Sequence, residues 1–201
     1  MTVPSSGTRY IRASFRQAGW SALRIHETSA LQECERGQPD LVWGHYSHAP
    51  EGYPKVFAEL ADKHLIVCRD PVKTWATNHV DWRDKDRPDS SKNKMAISHQ
   101  QQILPCWEWQ NEFNKEYSPY IHRVDKDTLD GLGEWAEVNF IDDKAQRYST
   151  PSRMKEAVKA KDVDKIKWLC EGTNYWNWFK EEATPVFADF YEKQGYDLWW
   201  I

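Results

Sequence analysis

The sequence predicts an α/β protein in which helices cover both faces of a central parallel sheet, giving a three-layer sandwich. Short apolar strands alternate with helices along the first half of the chain. The clearest strand is Leu65–Arg69, and helices with a proline at their start precede and follow it at Pro54–Ala61 and Pro71–Trp82. Continuous apolar strands are typical of parallel sheets that are buried on both faces.

The N-terminal quarter contains three further candidate strands and two helical segments. Met1–Val3 is at most the stub of a first strand. Thr8–Ala18 then has apolar residues at helical spacing, and Gly19 ends it. Ala22–Ile25 is predicted as the second strand. Ser29–Glu35 is predicted as a helical turn or more, and Asp40–His45 as the third strand.

A polar segment follows the helix that starts at Pro71. Asp84–Lys94 reads DKDRPDSSKNK and has neither helical nor strand periodicity. Proline and serine favour turns and loops in such a segment. We therefore expect residues 84–94 to form an exposed, mobile loop that acts as a lid.

The C-terminal half is predicted to be mainly helical, with a fifth strand at Tyr120–Val124. Pro105 is expected to bend the first helix of this half, and Pro185 to interrupt the last. Gly195 ends the last helix. The predicted helices are Met95–Tyr117, Thr128–Val138, Ser152–Ala160, Val163–Cys170 and Trp176–Gln194.

The composition is that of one ordinary domain spanning residues 1–201, because no linker or internal repeat divides the chain. A formal net charge of −4 argues against nucleic acid as a main partner. The four cysteines are widely spaced with no CxxC pair, which favours a reduced, cytoplasmic protein without a metal site. No stretch approaches the roughly twenty apolar residues that cross a bilayer, so we expect no membrane partner.

The segment Pro4–Arg9 (PSSGTR) is a turn of small residues that leads directly into the first helix. The backbone N–H groups of Ser5, Ser6, Gly7 and Thr8 are left unpaired there, and such a turn is suited to hold a phosphate. The segment is not a Walker A loop, because it lacks the earlier glycine and the lysine of that motif. A structural alternative is that Ser6 only caps the helix.

A second candidate phosphate site follows the strand that ends at Arg69. Thr77 lies eight residues later, two turns into the following helix, so that its hydroxyl and the guanidinium can reach one phosphate. The alternative is that Arg69 pairs with a carboxylate. Two phosphate-binding groups at strand ends of one sheet indicate a nucleotide with two separate phosphates.

These two segments together resemble the sulfotransferase family. The resemblance rests on P-S-S-G-T-R at residues 4–9 and L-I-V-C-R-D-P-V-K-T-W-A-T at residues 65–77. It implies a P-loop nucleotide hydrolase-like topology. It also implies transfer of a sulfonate group from 3′-phosphoadenosine 5′-phosphosulfate to a hydroxyl or amine of a small-molecule, carbohydrate or peptide acceptor. Adenosine 3′,5′-bisphosphate would be the product.

The resemblance also implies a role for individual residues. Arg69 and Thr77 correspond to the residues that bind the 3′-phosphate. The residues that correspond to the loop for the 5′-phosphosulfate are Ser5, Ser6, Gly7, Thr8 and Arg9.

Two residues compete for the role of general base. His45, in the segment Trp43–Tyr46, resembles the histidine base of the cytosolic branch of the family. Glu27, in Ile25–Thr28, is similar to the glutamate base of the tyrosylprotein branch. A structural alternative for Glu27 is a carboxylate at the start of a helix.

The chain departs from the family pattern in two places. Ser5 stands where the family has a basic residue beside the transferred group, and Arg9, Lys73 or a lysine of the lid are the candidates to replace that charge. The segment that covers the 3′-phosphate is also missing. These departures leave two alternatives: a degenerate nucleotide-binding protein of the same fold, or a small-molecule P-loop kinase. The nearest substitutes for the missing segment are Arg147, Arg153 and Lys155.

Overall fold

The computed structural model describes residues 7–24, 39–44, 53–78, 89–141 and 152–201, together with positions 32, 34 and 36; of residues 89–99 it describes the backbone. The predicted strand Met1–Val3 lies outside the described residues. Positions 32 and 34 have helical backbone, as expected for the segment predicted at Ser29–Glu35, and so does position 36, one residue beyond it.

The described elements alternate between strand and helix in the first half and are mainly helical in the second. The strands are β1 (Ala22–Arg24), β2 (Leu41–Trp43), β3 (Leu65–Cys68) and β4 (Tyr120–Arg123). The helices are α1 (Thr8–Gln17), α2 (Tyr53–Leu60), α3 (Pro71–Asn78), α4 (Asp89–Tyr117), α5 (Leu129–Ala136), α6 (Arg153–Lys159), α7 (Val163–Leu169), α8 (Tyr175–Trp178) and α9 (Thr184–Lys193), with a π-helical turn at Phe179–Ala183 between the last two.

The described strands form two parallel pairs. Strand β1 pairs with β2, with Ala22 opposite Leu41, and β3 pairs with β4, with Cys68 opposite Arg123. The prediction of a mixed α/β protein with parallel strands is therefore confirmed. The prediction of one continuous central sheet is not, because the described strands give two separate two-stranded sheets.

Helix α4 begins earlier than the sequence predicted. Residues 89–94, which were expected to belong to the loop 84–94, have helical backbone, and residues 84–88 lie outside the described residues. The reason is that Asp and Ser favour helix starts as well as turns, so the DSS that opens α4 is compatible with either. The helix then continues through Pro105 to Tyr117.

The last helical segment is interrupted by a π-helical turn that precedes Pro185, and not at Pro185 itself as the sequence predicted. Pro185 lies in the first turn of α9, where its missing N–H group costs no helical hydrogen bond. The preceding π-helical turn is closed by the Thr184 hydroxyl, which donates to the carbonyl oxygen of Phe179 at 2.7 Å. The same hydroxyl oxygen accepts a hydrogen bond from the Trp200 indole at 3.0 Å. This turn therefore also fixes the C-terminal residues.

The main core is built on aromatic rings that surround Phe179. That ring is fully buried, and its centroid lies 5.0 Å from Trp75, 5.4 Å from Trp200 and 5.7 Å from Phe187. Many of the twelve tryptophans are thus core residues. A smaller cluster packs α1 against β3 and α5, and its members include Ile11, Phe15, Val67 and Leu132.

We predict that Phe179→Ala lowers the free energy of unfolding by about 3–5 kcal/mol, because it removes a large ring and leaves a cavity among rings that cannot collapse into it. Trp168→Ala is the matched control, since that side chain is nearly half exposed, and it should cost less than about 1 kcal/mol. Urea unfolding measures both values. Equal costs for the two variants would contradict this description of the core.

Candidate functional site

The turn that leads into α1 approaches the end of β4 very closely. Gly7 has φ 102°, and a Cβ atom there would lie 2.7 Å from Cγ2 of Val124, the residue that follows β4. The backbone N–H of Val124 in turn donates to the carbonyl oxygen of Cys68 at 3.0 Å, and Arg69 is the next residue. The N-terminal turn and Arg69 are therefore positioned by the same sheet edge.

The residue at the N-cap position of α1 is Gly7, and Ser6 lies outside the described residues. The Gly7 carbonyl accepts hydrogen bonds from the N–H groups of Tyr10 and Ile11 at 3.0 and 3.3 Å. A glycine cap has no side chain to accept the remaining N–H groups of the first turn. Among the described residues no side chain caps these N–H groups, and such an arrangement favours an anion at a helix N-terminus.

Thr8 adds a second donor to this turn. The residue is 7% exposed, and its hydroxyl oxygen is buried without a hydrogen-bond partner among the described residues. A buried hydroxyl without a partner carries a free-energy cost that a bound ligand would remove. Arg9, the next residue, is exposed. Thr8 therefore faces the interior at a helix N-terminus, where a phosphate would meet both its hydroxyl and the backbone N–H groups.

Arg69 and Thr77 come together as the spacing predicted. The Arg69 guanidinium lies 3.5 Å from the Thr77 hydroxyl oxygen, and both side chains are half-buried. The Thr77 hydroxyl donates to the carbonyl oxygen of Lys73 at 2.8 Å. Among the described residues, the side chain that Arg69 contacts is the hydroxyl of Thr77 and not a carboxylate, so the alternative of an Arg69–carboxylate pair has no support.

The turn between Arg69 and α3 is fixed by Asp70. One oxygen of its carboxylate accepts from the backbone N–H groups of Val72 and Lys73 at 3.1 and 3.3 Å, and so caps the helix. Burial raises the pKa of the Asp70 carboxyl, and the Lys73 ammonium opposes that shift. The same ammonium lies 3.4 Å from Asp70 and 3.7 Å from Asp125. Lys73 is thus held by two carboxylates, which argues against it as the replacement for the basic residue missing at Ser5.

Lys155 brings a second positive charge near Arg69. Helix α6 packs against α3 and carries Lys155 to this side of the molecule. Burial lowers the pKa of the Lys155 ammonium, and the positive charge of Arg69 lowers it further. Of the other two substitutes for the missing segment, Arg153 is exposed and Arg147 lies outside the described residues. Two neighbouring cations repel each other, so a bound phosphate dianion would stabilise both.

Four of the predicted site residues lie outside the described residues: Ser5, Ser6, Glu27 and His45. The elements before the two candidate bases are present. Strand β1 ends at Arg24, three residues before Glu27, and β2 ends at Trp43, two residues before His45.

A cavity of about 750 Å³ lies between the two strand pairs. Its lining includes residues of β2 and β3 and of the helices α1, α2, α4 and α5. Thr8, Trp43 and Val67 are among the lining residues, so the cavity extends to the start of α1.

No family model matches this chain, and no curated protein or solved structure is detectably similar to it. Within the described ranges, His, Cys, Asp and Glu side chains form no group of three or more that is arranged to hold a metal ion. None of the described helices has the length and apolar character needed to span a membrane.

We predict that Gly7→Ala lowers the free energy of unfolding by about 2–4 kcal/mol, because it combines a positive φ with a clash against Val124. Gly19→Ala is the matched control: its φ is +91°, but nothing lies within 4 Å of the added Cβ, so it should cost only about 1–2 kcal/mol. Urea unfolding of both variants measures the difference.

A second change tests the contact itself. Val124→Ala should reduce the cost of Gly7→Ala when the two are combined, because it removes the methyl groups that the new Cβ would meet. If Gly7→Ala proves no more costly than Gly19→Ala, the close approach of the turn to Val124 is wrong.

Proposed function

We propose that this protein is a sulfotransferase that uses 3′-phosphoadenosine 5′-phosphosulfate. The observation that carries the proposal is that the two candidate phosphate-binding groups lie at one sheet edge. The turn at Gly7 and Thr8 contacts Val124, and Val124 is hydrogen-bonded to the residue before Arg69. Two phosphates of one small nucleotide would be bound by groups that a single pair of strands keeps together.

The strand pairing supports the three-layer sandwich that is part of the proposal. Both described pairs, β1–β2 and β3–β4, are parallel, as expected for a sheet that helices cover on both faces.

The Gly7–Thr8 turn would hold the 5′-phosphate of the donor. Backbone N–H groups at the helix N-terminus and the buried Thr8 hydroxyl would point at the oxygen that links phosphate to sulfur. Negative charge grows on this oxygen as its bond to sulfur breaks. Fixed donors at such a position typically stabilise the transition state by several kcal/mol.

Arg69, Thr77 and Lys155 would bind the 3′-phosphate. A guanidinium can donate two hydrogen bonds to phosphate oxygens, the hydroxyl contributes a third, and the ammonium adds charge. Burial and then the Arg69 charge lower the pKa of the Lys155 ammonium, and a phosphate bound at Arg69 would oppose that shift. This site would distinguish the bisphosphate nucleotide from one that has a 5′-phosphate only.

The transfer itself would be an in-line attack by the acceptor oxygen or nitrogen on sulfur. The bond from the acceptor atom to sulfur forms while the bond from sulfur to the 5′-phosphate oxygen breaks, and adenosine 3′,5′-bisphosphate leaves. The acceptor proton passes to a general base, because a neutral hydroxyl is a poor nucleophile. His45 and Glu27 are the candidate bases, and both follow strands that run parallel to each other.

Nucleotide binding without turnover is the second candidate function. It is favoured by the absence of a basic residue at Ser5 and by the two carboxylates that hold Lys73. A screen of hydroxyl and amine acceptors with labelled donor separates the two functions. Labelled acceptor supports transfer, whereas tight binding of the bisphosphate without any labelled product supports the second function.

We predict that Arg69→Ala weakens the binding of adenosine 3′,5′-bisphosphate by about 2–4 kcal/mol, because it removes a charge-assisted contact from a partly buried site. Lys155→Gln should weaken it by a smaller amount, and the binding of adenosine 5′-phosphate should hardly change in either variant. Titration calorimetry measures all four affinities. Lys159→Gln, an exposed lysine on the same helix as Lys155, is the control that should change neither ligand. Equal weakening of both nucleotides by Arg69→Ala would show that Arg69 does not bind the 3′-phosphate.

We predict that the loss of the true base lowers turnover by about 10²–10⁴-fold while donor affinity is largely retained. His45→Ala and Glu27→Gln separate the two candidates, and His45 is the expected base because it follows the third strand, as in the cytosolic branch. Steady-state rates with the best acceptor from the screen give the answer. Wild-type turnover in both variants would remove both residues from the acid–base role.

A further inference from the structure

The C-terminal turn docks against the turn that follows β4. Arg123 donates to the carbonyl oxygen of Gln194 at 3.1 Å, and Lys126 donates to the carbonyl oxygen of Gly195. The Lys126 ammonium also lies 4.4 Å from the centroid of the Tyr196 ring. The residues after α9 are therefore attached to the sheet edge that carries the candidate site.

Tyr196 extends this attachment to the residue beside Arg69. Its hydroxyl donates to one carboxylate oxygen of Asp125 at 2.7 Å. The other oxygen of Asp125 accepts from the backbone N–H of Asp70 at 3.3 Å and lies 3.7 Å from the Lys73 ammonium. Both oxygens of Asp125 are thus engaged, one by the C-terminal turn and one by the segment between Arg69 and α3.

We propose that Tyr196 is a positioning residue that acts through Asp125 to hold the backbone from which Arg69 reaches the 3′-phosphate. This inference rests on the proposed function. The hydrogen bond from Tyr196 fixes the rotation of the Asp125 carboxylate, so the second oxygen stays directed at the Asp70 N–H. That N–H belongs to the peptide group that joins Arg69 to Asp70. A shift there would move the guanidinium away from Thr77, its partner at 3.5 Å.

The turn that would hold the 5′-phosphate should not respond to a change at Tyr196. The three atoms nearest to a Cβ built at Gly7 all belong to Val124, whereas Tyr196 bonds to the Asp125 side chain. A change at Tyr196 should therefore alter the affinity for the 3′-phosphate selectively. A residue with a merely structural role would weaken both ends of the nucleotide together.

Tyr196→Phe tests the proposal, because it removes one hydroxyl and keeps the ring beside Lys126. We expect adenosine 3′,5′-bisphosphate to bind about five- to tenfold more weakly, which corresponds to the loss of one hydrogen bond that orients a charged group. Adenosine 5′-phosphate should change by less than about twofold. Asp197→Asn is the control. Asp197 follows Tyr196 in the chain and forms an exposed ion pair with Lys161, so its loss should leave the affinity for both nucleotides unchanged.

A double-mutant cycle tests the route through Asp125. Once Asp125→Ala has removed the carboxylate, adding Tyr196→Phe should weaken bisphosphate binding no further, because the hydrogen bond through which the hydroxyl acts on Arg69 is already gone. Thermal unfolding shows that each variant is folded, and Asp125→Asn replaces the alanine variant if it is not.

Three outcomes overturn the proposal. They are an unchanged preference for the bisphosphate in Tyr196→Phe, an equal loss for both nucleotides, and additive effects in the cycle. A wild-type protein that does not prefer the bisphosphate over the 5′-phosphate contradicts the proposed function instead, and this inference with it. The wild-type titration therefore distinguishes the two failures.

Discussion

The parallel pairing of β3 with β4 is the constraint on which the candidate site depends. Its register continues one residue beyond the strands, where the Val124 N–H donates to the Cys68 carbonyl. On one side of that hydrogen bond Val124 meets Gly7, and on the other side the chain turns through Arg69 into α3. A one-residue slip would send every side chain of a strand to the opposite face. The position of the Gly7 turn relative to the backbone of Arg69 is therefore set by backbone hydrogen bonds and by the close approach of one glycine.

Much of the fold could be predicted from the sequence, because the spacing of apolar residues and the positions of glycine and proline indicated the same elements. Helix α1 has apolar residues on one face and a glycine after its end. Leu65–Cys68 is a largely buried strand, and Pro71 begins the next helix two residues after it. The start of α4 could not be predicted, since Asp and Ser favour both helix starts and turns. The π-helical turn before α9 could not be predicted either, because it depends on the tertiary hydrogen bond between Trp200 and Thr184.

The candidate site, like the fold, could be predicted from the sequence only in part. The eight-residue spacing of Arg69 and Thr77 follows from helix geometry, and the structure brings the two together. The left-handed conformation of Gly7 is compatible with its sequence, but its contact with Val124 requires a strand more than one hundred residues away. Lys155 was one of three basic candidates in the sequence, and only the packing of α6 on α3 selects it. The docking of Tyr196 on Asp125 has no local sequence signal, because it joins the two turns through tertiary contact alone.

A crystal structure of the complex with adenosine 3′,5′-bisphosphate would show whether one sheet edge holds both phosphates. We expect the 5′-phosphate within hydrogen-bond distance of the Thr8 hydroxyl and backbone N–H. We expect the 3′-phosphate within hydrogen-bond distance of Arg69 and Thr77, with the Lys155 ammonium beside it. A nucleotide bound in the cavity between β2 and β3, with its 3′-phosphate away from Arg69, would be inconsistent with the proposed site.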